Sequence, residues 1–331
     1  MTISKWIGKN KSNIITFGII IVMFLVVFFL DSTKLISRQD KGLLVPIGIN
    51  IILAVSLNLV VGFLGELALG HAAFLSLGAY SGCMLSIKLQ DALPTLVRLP
   101  ICMIFGGLVA AFFGILIGIP VLRLKGDYLA IVTLAFGEIV LSVITNLEFT
   151  GGPSGLQGTP QDINYIIVFV VIIIMLFVIL NFVNSRHGRA IMSIRDNRIA
   201  SESVGINITY YKLLAFVLAA FFAGIAGVIL GHNISIVDAS KFDYNRSIEI
   251  LVFVVLGGIG SIRGSIIAAT IITILPEKLR GLQDYRLLTY AVVLIAMMVL
   301  NSNPKFVEFK SNMFKPVKNF FSSKRVKGGA K

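Results

Sequence analysis

Apolar blocks of membrane-crossing length recur along this chain, separated by short polar stretches. They run Ile14 to Leu30, Leu43 to Val61, Leu67 to Ile87, Leu99 to Leu122, Tyr128 to Leu147, Tyr165 to Val183 and Tyr211 to Leu230. Each lies near the ~20 residues that an α-helix needs to cross the hydrocarbon core. Two shorter apolar pieces come next, Ile250 to Leu256 and Ser265 to Leu275, split by Gly257-Gly-Ile-Gly-Ser-Ile-Arg-Gly264, and Leu287 to Leu300 completes the set. The short pair reads either as two broken spans or as one re-entrant hairpin, and both return the chain to the same side. No alternation of apolar and polar residues competes with these blocks, which argues against a membrane β-barrel. The pattern predicts an all-α, polytopic membrane helix bundle of about 8–10 spans, some of them broken or re-entrant. The expected division is a transmembrane body, 1–301, and a basic tail, 302–331.

Composition agrees with that class. Hydrophobic residues make up 56% of the 331 positions and charged ones 14%, too little charge to cover a soluble exterior. Lys5, Lys9 and Lys11 before the first block resemble the start of a signal peptide. No small-x-small cleavage site comes after it, however, and the apolar block exceeds a normal signal core, so an uncleaved first span is expected. Cys83 and Cys102 lie in apolar stretches and read as small buried hydrophobes.

Charge sets the expected orientation. With the N-terminus inside, the cytoplasmic segments 1–13, 123–127, 184–212 and 302–331 hold 18 Lys and Arg. The outer segments 31–41, 88–98, 148–162, 238–249 and 277–286 hold 10. The positive-inside bias therefore predicts both termini in the cytoplasm. It also accounts for the net charge of +13 without nucleic acid as a partner, because the excess sits on cytoplasmic edges. The tail, with five Phe among its Lys residues, reads either as a contact for anionic headgroups or as a solvated disordered segment.

Two glycine-rich breaks interrupt the apolar runs. One carries Gly62, Gly65, Glu66, Gly70 and His71; the other carries Gly257, Gly258 and Gly260 beside Arg263. Unwound backbone of this kind holds solutes in transporters, whereas glycines at this spacing also let helices pack closely. Both readings stand. Glu138 falls mid-span, where an ionised acid costs on the order of 3 kcal/mol. It is expected to face a polar path or a buried partner. These residues are the candidates for the translocation path and substrate contact.

A cytoplasmic stretch, 184–209, offers the other candidate site. Its residues include Gly188, Arg189, Arg195, Asp196, Asn197, Ala200, Glu202 and Gly205. Asp196 or Asn197 can cap a short helix and Gly205 suits its left-handed stop. The helix would show Ile199, Ala200 and Val204 beside Arg198 and Glu202, a compact apolar face of the sort that a groove on another protein accepts. An ordinary interfacial loop is the plainer alternative.

Residues 189–227 closely resemble the permeases of branched-chain amino-acid ABC transporters of the LivM type. The resemblance rests on Gly188-Arg189-Ala, Ile194-Arg195-Asp196, Gly205-Ile-Asn207 and Tyr211-Lys212-Leu-Leu-Ala-Phe216 with the Gly/Ala-rich run after it. It extends to Leu57-Asn58-Leu59, Gly62 through Phe74, Thr133 through Glu138, Gly151 through Leu156, and Gly257 through Arg280. The resemblance implies a multi-pass subunit of a bacterial plasma or inner membrane that performs no chemistry itself. The 188–207 segment would be its coupling element. Implied partners are a second homologous permease, two cytoplasmic ABC ATPase subunits that hold ATP and Mg, an extracytoplasmic substrate-binding protein and the bilayer. Leucine, isoleucine and valine are the implied cargo, with urea, short amides or other amino acids as alternatives. Glu66 stands where the family commonly has Gln, Ser201 where Ala is common, and Leu141-Ser142 where a basic residue is often found. Without a G-x-x-x-x-G-K-[ST] loop the chain cannot bind ATP by that route. An ion-coupled carrier using Glu138 is the competing transport reading. A membrane enzyme ranks last, since no catalytic cluster can be assigned.

Overall fold

The computed structural model describes residues 38–278 apart from Lys125, together with Gly18, Thr33, Val292 and Ile295. Apart from Gly18, Val292 and Ile295, the expected first span, the last span and the basic tail lie outside the described residues. Six of the described helices are long and apolar enough to cross a membrane. They are α1 (Arg38–Asn58, prolonged by a π-helical turn over Leu59–Leu64), α2 (His71–Leu89), α3 (Thr95–Val121), α4 (Asp127–Asn146), α5 (Tyr165–Asn184) and α8 (Ile208–Asn233). Between α5 and α8 lie two short helices, α6 (Arg186–Asp196) and α7 (Arg198–Ser203). α9 (Tyr244–Gly257) and α10 (Ile262–Lys278) come after α8. The chain divides into two units at Leu275, and the larger one, ending at Ile274, holds all six of these long helices.

α8 packs against α2, α3 and α1. Lipid removes the hydrophobic drive between helices, so close approach of small residues supplies much of the attraction. A β-carbon at Gly78 would stand 2.2 Å from the Gly224 carbonyl oxygen, and one at Gly227 would stand 2.0 Å from that of Leu75. Ala219, Ala220, Ala223 and Ala226 line the rest of this seam and are buried. Large residues take the outer faces: Leu108, Phe112 and Leu116 of α3 and Ile174 and Phe177 of α5 are all exposed, as befits a surface against acyl chains.

Among the described residues, the expected outer segments 88–98 and 148–162 meet each other and the chain just before 238–249. Arg98, at the start of α3, is buried and pairs with Asp162. Two-residue strands β1 (Leu156–Gln157) and β2 (Ile236–Val237) pair antiparallel. Tyr80 Oη donates to the Val237 carbonyl at 2.8 Å. Asp238 beside them accepts from Ser240 N–H and its hydroxyl, and these bonds hold its carboxyl below the usual carboxylate range. The basic 184–212 segment lies at the other end of the long helices.

α9 and α10 are the short apolar pair. They form a hairpin whose turn is so tight that a β-carbon at Gly264 would lie 1.6 Å from the Gly257 oxygen. The 14 residues of α9 span about 21 Å, short of the ~30 Å core. α10 runs antiparallel to α1, stitched by Asn58 Nδ2 to Ser265 Oγ at 2.9 Å and Asn50 Nδ2 to Thr273 Oγ1 at 2.8 Å.

Candidate functional site: a broken helix gripped by the basic segment

α1 does not end cleanly. Its last turns widen into the π-helical Leu59–Leu64 and stop at Gly65, whose φ of 78° suits a residue without a β-carbon. Residues 65–70 are non-helical, and α2 begins at His71. The sequence expectation of one span from Leu67 is corrected here by four residues, because the break itself consumes them. Its free N–H groups find side chains on neighbouring helices. Leu69 N donates to Thr133 Oγ1 at 3.0 Å and Ala72 N to Ser247 Oγ at 3.1 Å. His71 shares a 2.8 Å hydrogen bond with Ser56, both buried.

The two glycine breaks meet. A β-carbon at Gly62 would fall 2.3 Å from Gly260 N, so the backbones approach this closely only because position 62 has no side chain. Asn58, fully buried, accepts from Gly260 N at 2.9 Å while donating to Ser265. Here the hairpin tip is tied to the end of α1.

The basic segment, 184–212, holds this junction at two points. Arg195, in the last turn of α6, donates through Nη1 to the Gly62 carbonyl at 3.0 Å. Its Nε and Nη2 donate to Asp196 Oδ1 at 3.1 and 3.0 Å. The stem of Arg195 lies over Gly65, where a β-carbon would approach its Cγ to 2.5 Å. Lys212, in the second turn of α8 and 2% exposed, pairs with Glu66. Glu66 thus stands against a buried ammonium, and each charge is the other's partner.

The rest of the segment faces the other way. Ser185 caps α6 by accepting from His187 N and Gly188 N. Gly188 is buried against Val183, and Ile191 and Ile194 are buried beneath the helix. Arg189 turns outward and donates to the Asn184 carbonyl. Asn197, not Asp196, caps α7 by accepting from Ala200 N at 3.0 Å. Gly205 comes just after α7 at φ 83°. Where one short helix was expected, two form, because the Ile191 and Ile194 stripe gives the preceding residues a face to bury. On α7 and just after it, Ile199 (81% exposed), Ala200, Glu202 and Val204 (76% exposed) are presented outward, while Ser201 is buried.

The structure therefore brings Gly62, Gly65 and Glu66 together with Gly260, Arg195 and Asp196. Gly70 and His71 lie one step along the chain, beside a cleft also lined by Phe74, Thr133, Phe136 and Phe216 that has room for about one water molecule. Gly257 is packed against Gly264 and Gly258 takes φ 93° in the hairpin turn. Glu138 is apart from all of these, exposed on the face of α4 that also carries Ile131, Ala135 and Ile139. Asn58, Lys212 and Ser265 went unproposed by sequence reasoning. Their signal was a polar side chain within an apolar block, but nothing in the order of residues pairs Lys212 with Glu66.

Residues 41–301 match the family described as branched-chain amino acid transport system / permease component. The chain belongs to this family. Among its relatives is the high-affinity branched-chain amino acid transport system permease protein LivM of Salmonella typhimurium, 33% identical over 84% of this chain and 72% of the relative. The LivM protein of Escherichia coli is also 33% identical, over 80% of this chain and 69% of the relative. A ribose import permease protein, RbsC of Haemophilus influenzae, is 23% identical over 83% of this chain and 86% of the relative. No solved structure matches the permease. Family and fold together make it a multi-pass ABC transport permease.

Proposed function

We propose that the permease is the translocating subunit of an ATP-driven importer of branched-chain amino acids, seated by residues 184–209 on a separate cytoplasmic ATPase. One observation carries this reading. The segment grips the broken helices with Arg195, beside the Lys212–Glu66 pair of α8, and presents Ile199 and Val204 bare, as a docking element must. ATP and Mg belong to the ATPase partner, and the permease itself holds no cofactor.

The cargo is inferred from relatedness: 33% identity to permeases named for branched-chain amino acids, against 23% to one named for ribose. The β1–β2 end is the proposed seat of an extracytoplasmic binding protein, with both termini inside a bacterial cell membrane. A carboxylate facing hydrocarbon costs about 3 kcal/mol, so the exposed Glu138 face of α4 is assigned to a second homologous permease subunit and the path between the two. Gly62, Gly65, Glu66, Gly70, His71, Gly257, Gly258 and Gly260 serve this path as its movable inner boundary.

The test is uptake into sealed vesicles containing the permease with its partner subunits and binding protein, against labelled leucine, ribose and urea. Leucine should accumulate with ATP inside and not without it. Equal accumulation after removal of the ATPase subunit would sink the proposal, and accumulation of ribose or urea in place of leucine would replace its cargo.

A further inference from the structure

Arg195 resembles a docking residue in sequence, since it stands close to the start of α7 in a basic cytoplasmic stretch. Its hydrogen bonds point inward, while the side chain stays 38% exposed. The guanidinium is divided between the Gly62 carbonyl and Asp196, and its stem covers Gly65. Lys212 is buried and spent on Glu66. The two cations therefore hold the end of α1 and the break after it at two points, Gly62 and Glu66, from either side of α7, whose outer face is bare. Only Asn197 separates α6 from α7, and its side chain is itself engaged as the α7 cap. A displacement of α7 has no slack loop in which to dissipate before it reaches Arg195.

We infer that Arg195 and Lys212 are linkage residues: they transmit movement of the docked α6–α7 segment to the junction of the two glycine breaks, and neither contacts the ATPase. This rests on the docking role proposed above. The guanidinium is needed for its geometry, because its fork serves the carbonyl and the carboxylate at once, which a lysine ammonium on a shorter reach does not. Spatial intermediacy alone does not establish coupling, so the measurement must separate docking from transmission.

The complete transporter in proteoliposomes is assayed for retained ATPase subunit, ATP hydrolysis, and leucine taken up per ATP hydrolysed. Arg195→Lys should retain the ATPase subunit and hydrolyse ATP, while uptake per ATP falls about ten-fold, the equivalent of one charge-assisted hydrogen bond. Gly65→Ala, which pushes a β-carbon into the Arg195 stem, should do the same. Loss of the ATPase subunit from Arg195→Lys, or an unchanged uptake per ATP, would overturn the inference. If Arg195→Lys fails to accumulate, Asp196→Ala answers the same question from an exposed position: a lowered uptake per ATP with the ATPase retained supports the linkage, and an unchanged ratio overturns it. Failure of the docking role itself reads differently, since Ile199→Asp would then keep the ATPase subunit bound.

Discussion

The Lys212–Glu66 pair shows how much one contact decides. Lys212 is 2% exposed and Glu66 15%, so neither charge has ready access to water. Removing one partner of such a pair is expected to destabilise by about 3–5 kcal/mol, whereas replacing both by neutral groups costs far less. Lys212→Ala should therefore lower the thermal midpoint of the purified permease strongly, and Lys212→Met combined with Glu66→Gln should recover most of it. A double variant no more stable than Lys212→Ala would show that the pair is not what holds this junction. Neither residue announced the other. Glu66 stood out in the sequence as a departure from the family's Gln, but 146 positions separate it from Lys212, and only the fold sets them side by side.

Helices in this protein meet through their smallest residues. Gly227 of α8 leaves 2.0 Å between a hypothetical β-carbon and the Leu75 oxygen of α2, whereas Gly137 of α4 has nothing nearer than 4.0 Å. Gly227→Ala should push α8 off α2 and reduce the amount of folded protein recovered from membranes several-fold, consistent with a steric cost of about 1–3 kcal/mol. Gly137→Ala should leave recovery unchanged, or raise it slightly through higher helix propensity. Fluorescence-detected size-exclusion chromatography of the two variants checks both. On α7, Ile199→Asp and Val204→Asp should each lower co-purification of the ATPase subunit without altering the permease's own thermal midpoint, because both side chains are largely exposed. A parallel fall in thermal midpoint would mean that these residues hold the permease together instead. The existence of an amphipathic element here was readable from the sequence; its division into α6 and α7 was not, since it depends on what Ile191 and Ile194 find beneath them.

For the molecule as a whole, two ends are defined by contacts, and the charge bias says which of them faces the cytoplasm. Single cysteines at Ser154, exposed in the connection after α4, and at Ser203, exposed on α7, test the orientation. An impermeant thiol reagent should label the Ser154→Cys protein in intact cells and the Ser203→Cys protein only after the membrane is opened. The buried Cys83 and Cys102 should stay silent. Ser203 is the better inner probe than its neighbour Ser201, which is buried. Labelling of Ser203→Cys in intact cells would invert the topology and remove the ATPase from reach of α7.

Among the described residues, the six long spans, the membrane class and the location of the two glycine breaks were legible in the order of residues. They depend on local composition: a length of apolar side chains has one stable use in a bilayer, and a glycine cluster interrupts a helix wherever it falls. The same order gave Asn58, Lys212 and Ser265 no site role and made Arg195 look like an outward contact. Their roles come from pairings between segments far apart in the chain, such as Arg195 with Gly62 and Asn58 with Ser265. Partner choice of that kind is a property of packing, where two backbones approach closely enough for a buried polar group to find its complement, and no local pattern encodes it.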